Sequence, residues 1–356
     1  MPLRDWFFGL FGRRPRTENE GLRSKAPATH VIILDGTMSS LVEGQETNAG
    51  LTYKLLLEAG RSANLTLYYE AGIQWRYWRN MWDVVTGKGI NRQIARAYGV
   101  LASRYRAGDR IVLIGYSRGA YAVRSLAGAV DLVGLVRHDC ATERAIQQAY
   151  RHYRDGAKSD AAAAFRATYC HDSVQIEAVA VWDTVKALGL RLPIVWRWSE
   201  GQHGFHNHAL GPHILHGFHA LGMDETRVAY QPIMWSTGPD DHTHVEQVWF
   251  RGNHGDVGGQ VWQYPASRPL ANIPLVWMLE RLAACGLPLP DGWQDRFPQD
   301  VNAPSIGSWR GWAKILLTRR KRKIGRDASE RVHESVTGRP PPKAQLAPQL
   351  HDQTGR

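Results

Sequence analysis

The chain has 356 residues, 43% of them hydrophobic, which is enough apolar surface for a large core and too much for a disordered chain. Its formal charge of +11 is concentrated at the ends: residues 314–326 hold seven positive charges and no acid, and residues 1–30 hold six positive against three negative. A nucleic-acid groove needs basic residues spread over a folded surface, so that partner is excluded, and no apolar run approaches the roughly 20 residues of a membrane-spanning helix.

In chain order, residues 1–28 read as a loose polar arm. A short apolar cluster at 6–11 precedes Arg13, Arg14 and Arg16, the reverse of a secretory signal, so no export signal is expected and the cytoplasm is the expected location. Runs rich in β-branched residues predict strands at 30–34, 65–69, 110–114, 176–182 and 245–250. Helical patterns fall at 90–105, 118–130, 142–153 and 274–284. This alternation predicts a mostly parallel sheet with helices on both faces, the α/β class. Two aromatic segments interrupt it, 75–89 with Trp75, Trp78 and Trp82, and 190–212 with Trp196 and Trp198. Both read as inserted cap segments that admit an apolar substrate. The catalytic domain is then 29–312, and 313–356 is a basic, then proline-rich tail. At the boundary, Trp312, Ile315, Leu316 and Leu317 beside the basic run from Arg319 to Lys323 suit peripheral contact with an anionic membrane.

Gly115-Tyr116-Ser117-Arg118-Gly119 is a G-x-S-x-G pattern, weak by itself but here placed between a buried-strand run and a helix-forming run. Such a strand-to-helix turn needs small residues at Gly115 and Gly119, because the backbone passes close to its neighbours. It also points free N–H groups of the helix start at a developing oxyanion. A serine needs a base and an orienting acid, which this arrangement supplies in the order Ser, Asp, His. Asp183 ends the 176–182 strand, and His254 follows the 245–250 strand on a glycine-rich loop. Asp35 and Asp256 are rival acids, with chain order favouring Asp183. The second oxyanion donor, after Arg118, is expected from Gly36 or Thr37, with Asp35 ordering that loop.

These residues belong to a longer series of motifs. They include Leu34-Asp35-Gly36-Thr37, Thr47-Asn48, Tyr68-Tyr69-Glu70-Ala71-Gly72-Ile73, Trp182-Asp183-Thr184, His219-Ala220-Leu221-Gly222-Met223-Asp224-Glu225, Gly252-Asn253-His254-Gly255-Asp256-Val257-Gly258-Gly259, Ile273-Pro274-Leu275 and Val332-His333-Glu334-Ser335-Val336. On them, residues 30 to about 340 resemble the catalytic domain of the type VI secretion lipase effectors, an α/β-hydrolase family long catalogued as a domain of unknown function. The resemblance implies an α/β-hydrolase fold and a triad of Ser117, Asp183 and His254.

Three cysteines, Cys140, Cys170 and Cys285, offer neither a disulfide framework nor a paired metal spacing. His213, His216 and His219 would share one helical face, but no carboxylate or cysteine completes a ligand set, so neither metal nor cofactor is expected. The function expected is hydrolysis of a carboxylic ester, on a lipid, a phospholipid or a small soluble molecule. The alternatives are acyl transfer to an acceptor other than water and a membrane- or protein-binding module that works through the basic tail.

Overall fold

Burial on both faces builds the central sheet: in the strand Thr29–Leu34, Val31 and Ile33 face one helical layer while Ile32 and Leu34 face the other, and none is more than 2% exposed. The computed structural model describes residues 16–18, 26–60, 64–72, 88–185, 209–238, 242–261, 263–309 and 318–336. Its strands are β1 (Arg16–Glu18), β2 (Thr29–Leu34), β3 (Leu65–Glu70), β4 (Arg110–Tyr116), β5 (Ile176–Trp182), β6 (Ile214–Gly222), β7 (His244–Phe250) and β8 (Glu330–Val332). They form one eight-stranded sheet in the order β1-β3-β2-β4-β5-β6-β7-β8, parallel throughout except for β1 against β3.

Parallel neighbours need crossovers, and helices supply those from β2 through β5 and from β7 to β8. The helices are α1 (Asn48–Ala59), α2 (Lys88–Arg104), α3 (Arg118–Val133), α4 (Glu143–Arg154), α5 (Asp160–Tyr169), α6 (His254–Gly258) and α7 (Arg268–Ala284). Residues of α2 to α5 pack with Ile32, Leu113 and Val181 on one face. Residues of α1 and α7 pack with Ile33, Ile114 and Trp182 on the other. Each large apolar side chain so buried contributes about 1.5–3 kcal/mol. The Trp182 indole N–H also donates to the Pro274 carbonyl at 3.1 Å, tying the end of β5 to α7. This is the α/β-hydrolase arrangement, with the loops that matter at the C-terminal ends of β2, β4, β5 and β7.

The structure differs from the sequence reading in three places. Residues 214–222 form a strand, so His216 and His219 do not share a helical face: a strand sends positions three apart to opposite sides. Residues 16–18 of the supposed loose arm pair with β3 at the sheet edge. Residues 318–336 of the supposed tail are part of the fold and end the sheet as β8. The aromatic segments at 75–89 and 190–212 lie almost entirely outside the described residues. Among those described, no helix is long and apolar enough to cross a membrane.

Candidate active site

Ser117 joins β4 to α3 with φ 57°, a left-handed conformation that a serine adopts only when its surroundings hold it there. The turn is tight: a methyl group at Gly119 would lie 2.0 Å from the Leu34 carbonyl oxygen. The serine is nearly buried, at 7% exposure, and its Oγ is 2.8 Å from His254 Nε2. His254 Nδ1 lies 2.6 Å from Asp183 Oδ2. Ser117, His254 and Asp183, distant in sequence, are therefore one hydrogen-bonded chain, and Asp183 itself follows β5 with φ 41°.

His254 is held by the turn it begins. Asn253 caps the five-residue α6, its Oδ1 accepting from Gly255 N–H at 2.7 Å, while Asp256 accepts from Asn253 N–H at 2.9 Å. Asp256 also accepts from Ser305 Oγ at 2.6 Å and Ile306 N–H at 3.0 Å, so this rival acid is a loop brace and does not touch the imidazole nitrogen that Asp183 holds. The Tyr116 ring stacks on His254 at 5.0 Å and Tyr230 meets it edge-on at 4.7 Å. The His254 amide N–H donates to Glu225 Oε2 at 3.3 Å, and Arg227 pairs with Glu225 at 2.5 Å.

Burial holds the His254 imidazole below its ordinary pKa, although the Asp183 hydrogen bond pulls the other way. Asp183 is fully buried. Burial pushes its carboxyl up, but the Arg322 charge and the hydrogen bonds from His254 and Arg322 outweigh it and keep the group ionised far below the usual carboxylate range. Arg322 Nη1 donates to Asp183 Oδ1 at 2.5 Å and Nη2 to Oδ2 at 2.8 Å. Gly222 N–H adds a donor to Oδ1 at 3.1 Å.

The loop after β2 brings the remaining candidates to Ser117. The third candidate acid, Asp35, is buried and accepts from Thr47 Oγ1 and Tyr69 OH, each at 2.7 Å, and from Gly36 N–H at 2.6 Å. Burial raises its pKa to about 6 despite these donors. The Gly36 N–H is thus engaged by Asp35. The amides of Thr37 and Arg118 have no partner among the described residues. Gln260 Nε2 donates to the Thr37 carbonyl at 3.0 Å, and the Arg118 guanidinium to the Thr37 hydroxyl, fixing the loop against the start of α3.

Comparison with known families settles the chain's kinship. Residues 29–281 match the model of the type VI secretion system phospholipase effector Tle1-like catalytic domain. The chain belongs to this family. The Tle1-like region takes in Ser117, Asp183 and His254 and stops short of Arg322. A curated relative, the uncharacterized protein YEL023C of Saccharomyces cerevisiae, is 24% identical over 268 residues, covering 66% of this chain and 38% of its own length. The chain therefore spans well under half of that protein. Among solved structures, an uncharacterized Pseudomonas aeruginosa protein has 16% identity and a TM-score of 0.42, covering 77% of this chain and 49% of that one. The Tle1 effector bound to the VgrG spike has 18% identity and a TM-score of 0.35, covering 67% and 52%.

The sequence motifs single out neither Arg322 nor Tyr230, and place Glu225 in no site role. The signal for Glu225 was its place at the end of the 219–225 motif, whereas Arg322 is hidden in a run of like charges. Of the histidines read as a group, His219 is fully buried and accepts from Thr184 N–H at 3.1 Å, next to Asp183. His216 stands instead with Glu177 and Cys285, whose ligand atoms lie within 4.8 Å of one another. That trio lines a cavity of about 470 Å³ at the end of the sheet opposite Ser117.

Proposed function

We propose that the protein is a serine hydrolase of carboxylic esters, acting on lipid or phospholipid acyl esters through a covalent acyl-enzyme. The observation that carries this reading is the unbroken hydrogen-bonded chain from Ser117 through His254 to Asp183 at the start of α3. His254 Nε2 takes the Ser117 proton as Oγ attacks the ester carbonyl, and Asp183 holds the imidazole in the tautomer that accepts it and stabilises the imidazolium. The N–H groups of Arg118 and Thr37 hold the oxyanion, helped by the positive end of α3. His254 then returns the proton to the leaving alcohol, and a water, deprotonated by the same nitrogen, releases the acid and restores Ser117. Asp183 stays ionised throughout, consistent with its guanidinium partner. Membership in a phospholipase effector family supports the lipid ester as substrate.

The test is product analysis by mass spectrometry after wild type and Ser117→Ala are incubated with mixed phospholipid vesicles and a panel of short-chain esters. Serine-dependent release of fatty acid and lysophospholipid is expected. Turnover of short esters alone would move the assignment to a carboxylesterase, and full activity of Ser117→Ala would refute the mechanism.

A further inference from the structure

We propose that Arg322 is a positioning residue for the Asp183–His254 pair, so that the segment 318–336, beyond the family-matched region, completes the reaction site. The inference rests on the reading of Ser117, His254 and Asp183 as the reacting chain. Arg322 reaches the acid from a distant part of the sequence, and its side chain is 1% exposed. Its fork grips both carboxylate oxygens, while Nη1 also donates to the Gly222 carbonyl at 2.6 Å and Nη2 to that of Tyr230 at 2.5 Å. Four hydrogen bonds of this kind fix the plane of the guanidinium, and a two-point contact passes that plane on to the carboxylate. The rotation of Asp183 about its side-chain bonds, and hence the direction in which Oδ2 meets His254 Nδ1, is set by Arg322.

The segment that carries Arg322 is itself anchored on both sides. Before it, Thr318 accepts from Val228 N–H at 3.1 Å, and Arg320 N–H donates to Thr226 at 2.8 Å. After it, Asp327 accepts from Thr237 N–H at 2.8 Å and Thr237 Oγ1 at 2.7 Å, Glu330 accepts from the Trp249 indole at 2.8 Å, and β8 pairs with β7. His333 stacks on Phe250 at 4.6 Å. The strand that leads to His254 and the loop that follows β6 are thus held by the same stretch that delivers the guanidinium. The neighbouring cation, Arg227, is committed to Glu225, so among the described residues Arg322 is the only arginine or lysine in the ion pairs of Asp183, whose other partner is the His254 imidazole.

A purely structural arginine would change how much protein folds and leave the chemistry of the folded fraction alone. A positioning arginine changes kcat and the protonation of His254. With the guanidinium gone, the full Asp183 charge falls on the imidazole and favours its protonated form, which moves the acid limb of the pH profile to higher pH. The experiment uses the full chain with Arg322→Met and Arg322→Lys, p-nitrophenyl butyrate and phosphatidylcholine vesicles as probes, and thermal melts to measure the folded fraction. For Arg322→Met, kcat per folded molecule should fall roughly 10²-fold, the cost of about 1 Å of misplacement, with KM unchanged and the acid limb raised. Arg322→Lys keeps the charge without the fork, and its kcat should lie between the two. If Arg322→Met does not fold, the lysine variant decides alone: wild-type kcat and an unmoved limb in it overturn the proposal, as they would in folded Arg322→Met. Ser117→Ala, run alongside, separates the two failures. Its full activity sinks the hydrolase reading itself, whereas its inactivity beside a wild-type Arg322 profile sinks only the positioning role.

Discussion

Replacing Asp183 with asparagine keeps the side chain's shape and changes only which atoms accept. Every contact on this carboxylate comes from a donor. Oδ1 faces Arg322 Nη1 at 2.5 Å and Gly222 N–H at 3.1 Å, and Oδ2 faces Arg322 Nη2 at 2.8 Å and His254 Nδ1 at 2.6 Å. An amide NH2 in the Oδ1 place would meet two donors that cannot change. In the Oδ2 place it meets one such donor and an imidazole that can switch tautomer, so the substituted side chain would point its NH2 at His254. That forces the imidazole proton onto Nε2, the atom that has to accept from Ser117. The wrong tautomer in such a triad costs about 10⁴ in kcat, or about 5 kcal/mol of transition-state stabilisation. Neutralising position 183 also leaves Arg322 buried without a counter-charge, at about 3–5 kcal/mol of stability. For a domain of this size that lowers Tm by on the order of 10 °C. Burst kinetics with p-nitrophenyl butyrate, with a calorimetric melt of the same sample, measures both. An Asp183→Asn enzyme within tenfold of wild type would refute the assignment of the acid, whatever its Tm.

Three further expectations follow from the site. Because burial holds His254 below its ordinary value and the base has to be neutral, kcat/KM should be flat around neutrality and fall only below about pH 6.5; a midpoint above 7 contradicts the stated environment. Gly119→Ala puts a methyl group 2.0 Å from the Leu34 carbonyl, and urea denaturation should show a loss of about 2–3 kcal/mol, against no change if the turn can yield. Burial, then Arg124, lowers the His219 pKa to about 3. Between pH 6.5 and about 3 the unfolded chain therefore binds a proton there that the folded chain does not, and stability falls as the pH drops. His219→Gln should lose less stability than wild type across that window, and parallel curves for the two proteins would show that this histidine does not titrate with unfolding.

The five strands expected from sequence all form, because four are runs dominated by β-branched, aliphatic or aromatic residues, and the fifth, at 245–250, ends in the buried Val248, Trp249 and Phe250. Ser117 and His254 were legible for a related reason: each sits in a turn whose glycines the backbone demands. The strand Ile214–Gly222 escapes the sequence reading because Gly217, His216 and His219 dilute its apolar pattern, and the two histidines with His213 before them imitate a helical spacing. Arg322 was missed because a run of seven positive charges reads as solvated, and nothing local distinguishes the one that turns inward. The sequence leaves the second oxyanion donor open between Gly36 and Thr37. The choice between Gly36 and Thr37 depends on where the Asp35 carboxylate points, which tertiary contacts from Thr47 and Tyr69 decide.

The route of the chain through the site also orders events in time. Loop 35–37 and Ser117 are made early, Asp183 and His254 later, and Arg322 only after strands β2 to β7 have been synthesised. A chain emerging from the ribosome can therefore assemble most of the sheet while its buried aspartate still lacks a cation. Until that segment docks, the Asp183 carboxylate lacks the two-point contact that Arg322 makes with it. On the role proposed for Arg322, docking of the last segment is the step that completes the site, and contacts this far apart in sequence are among the slowest to form.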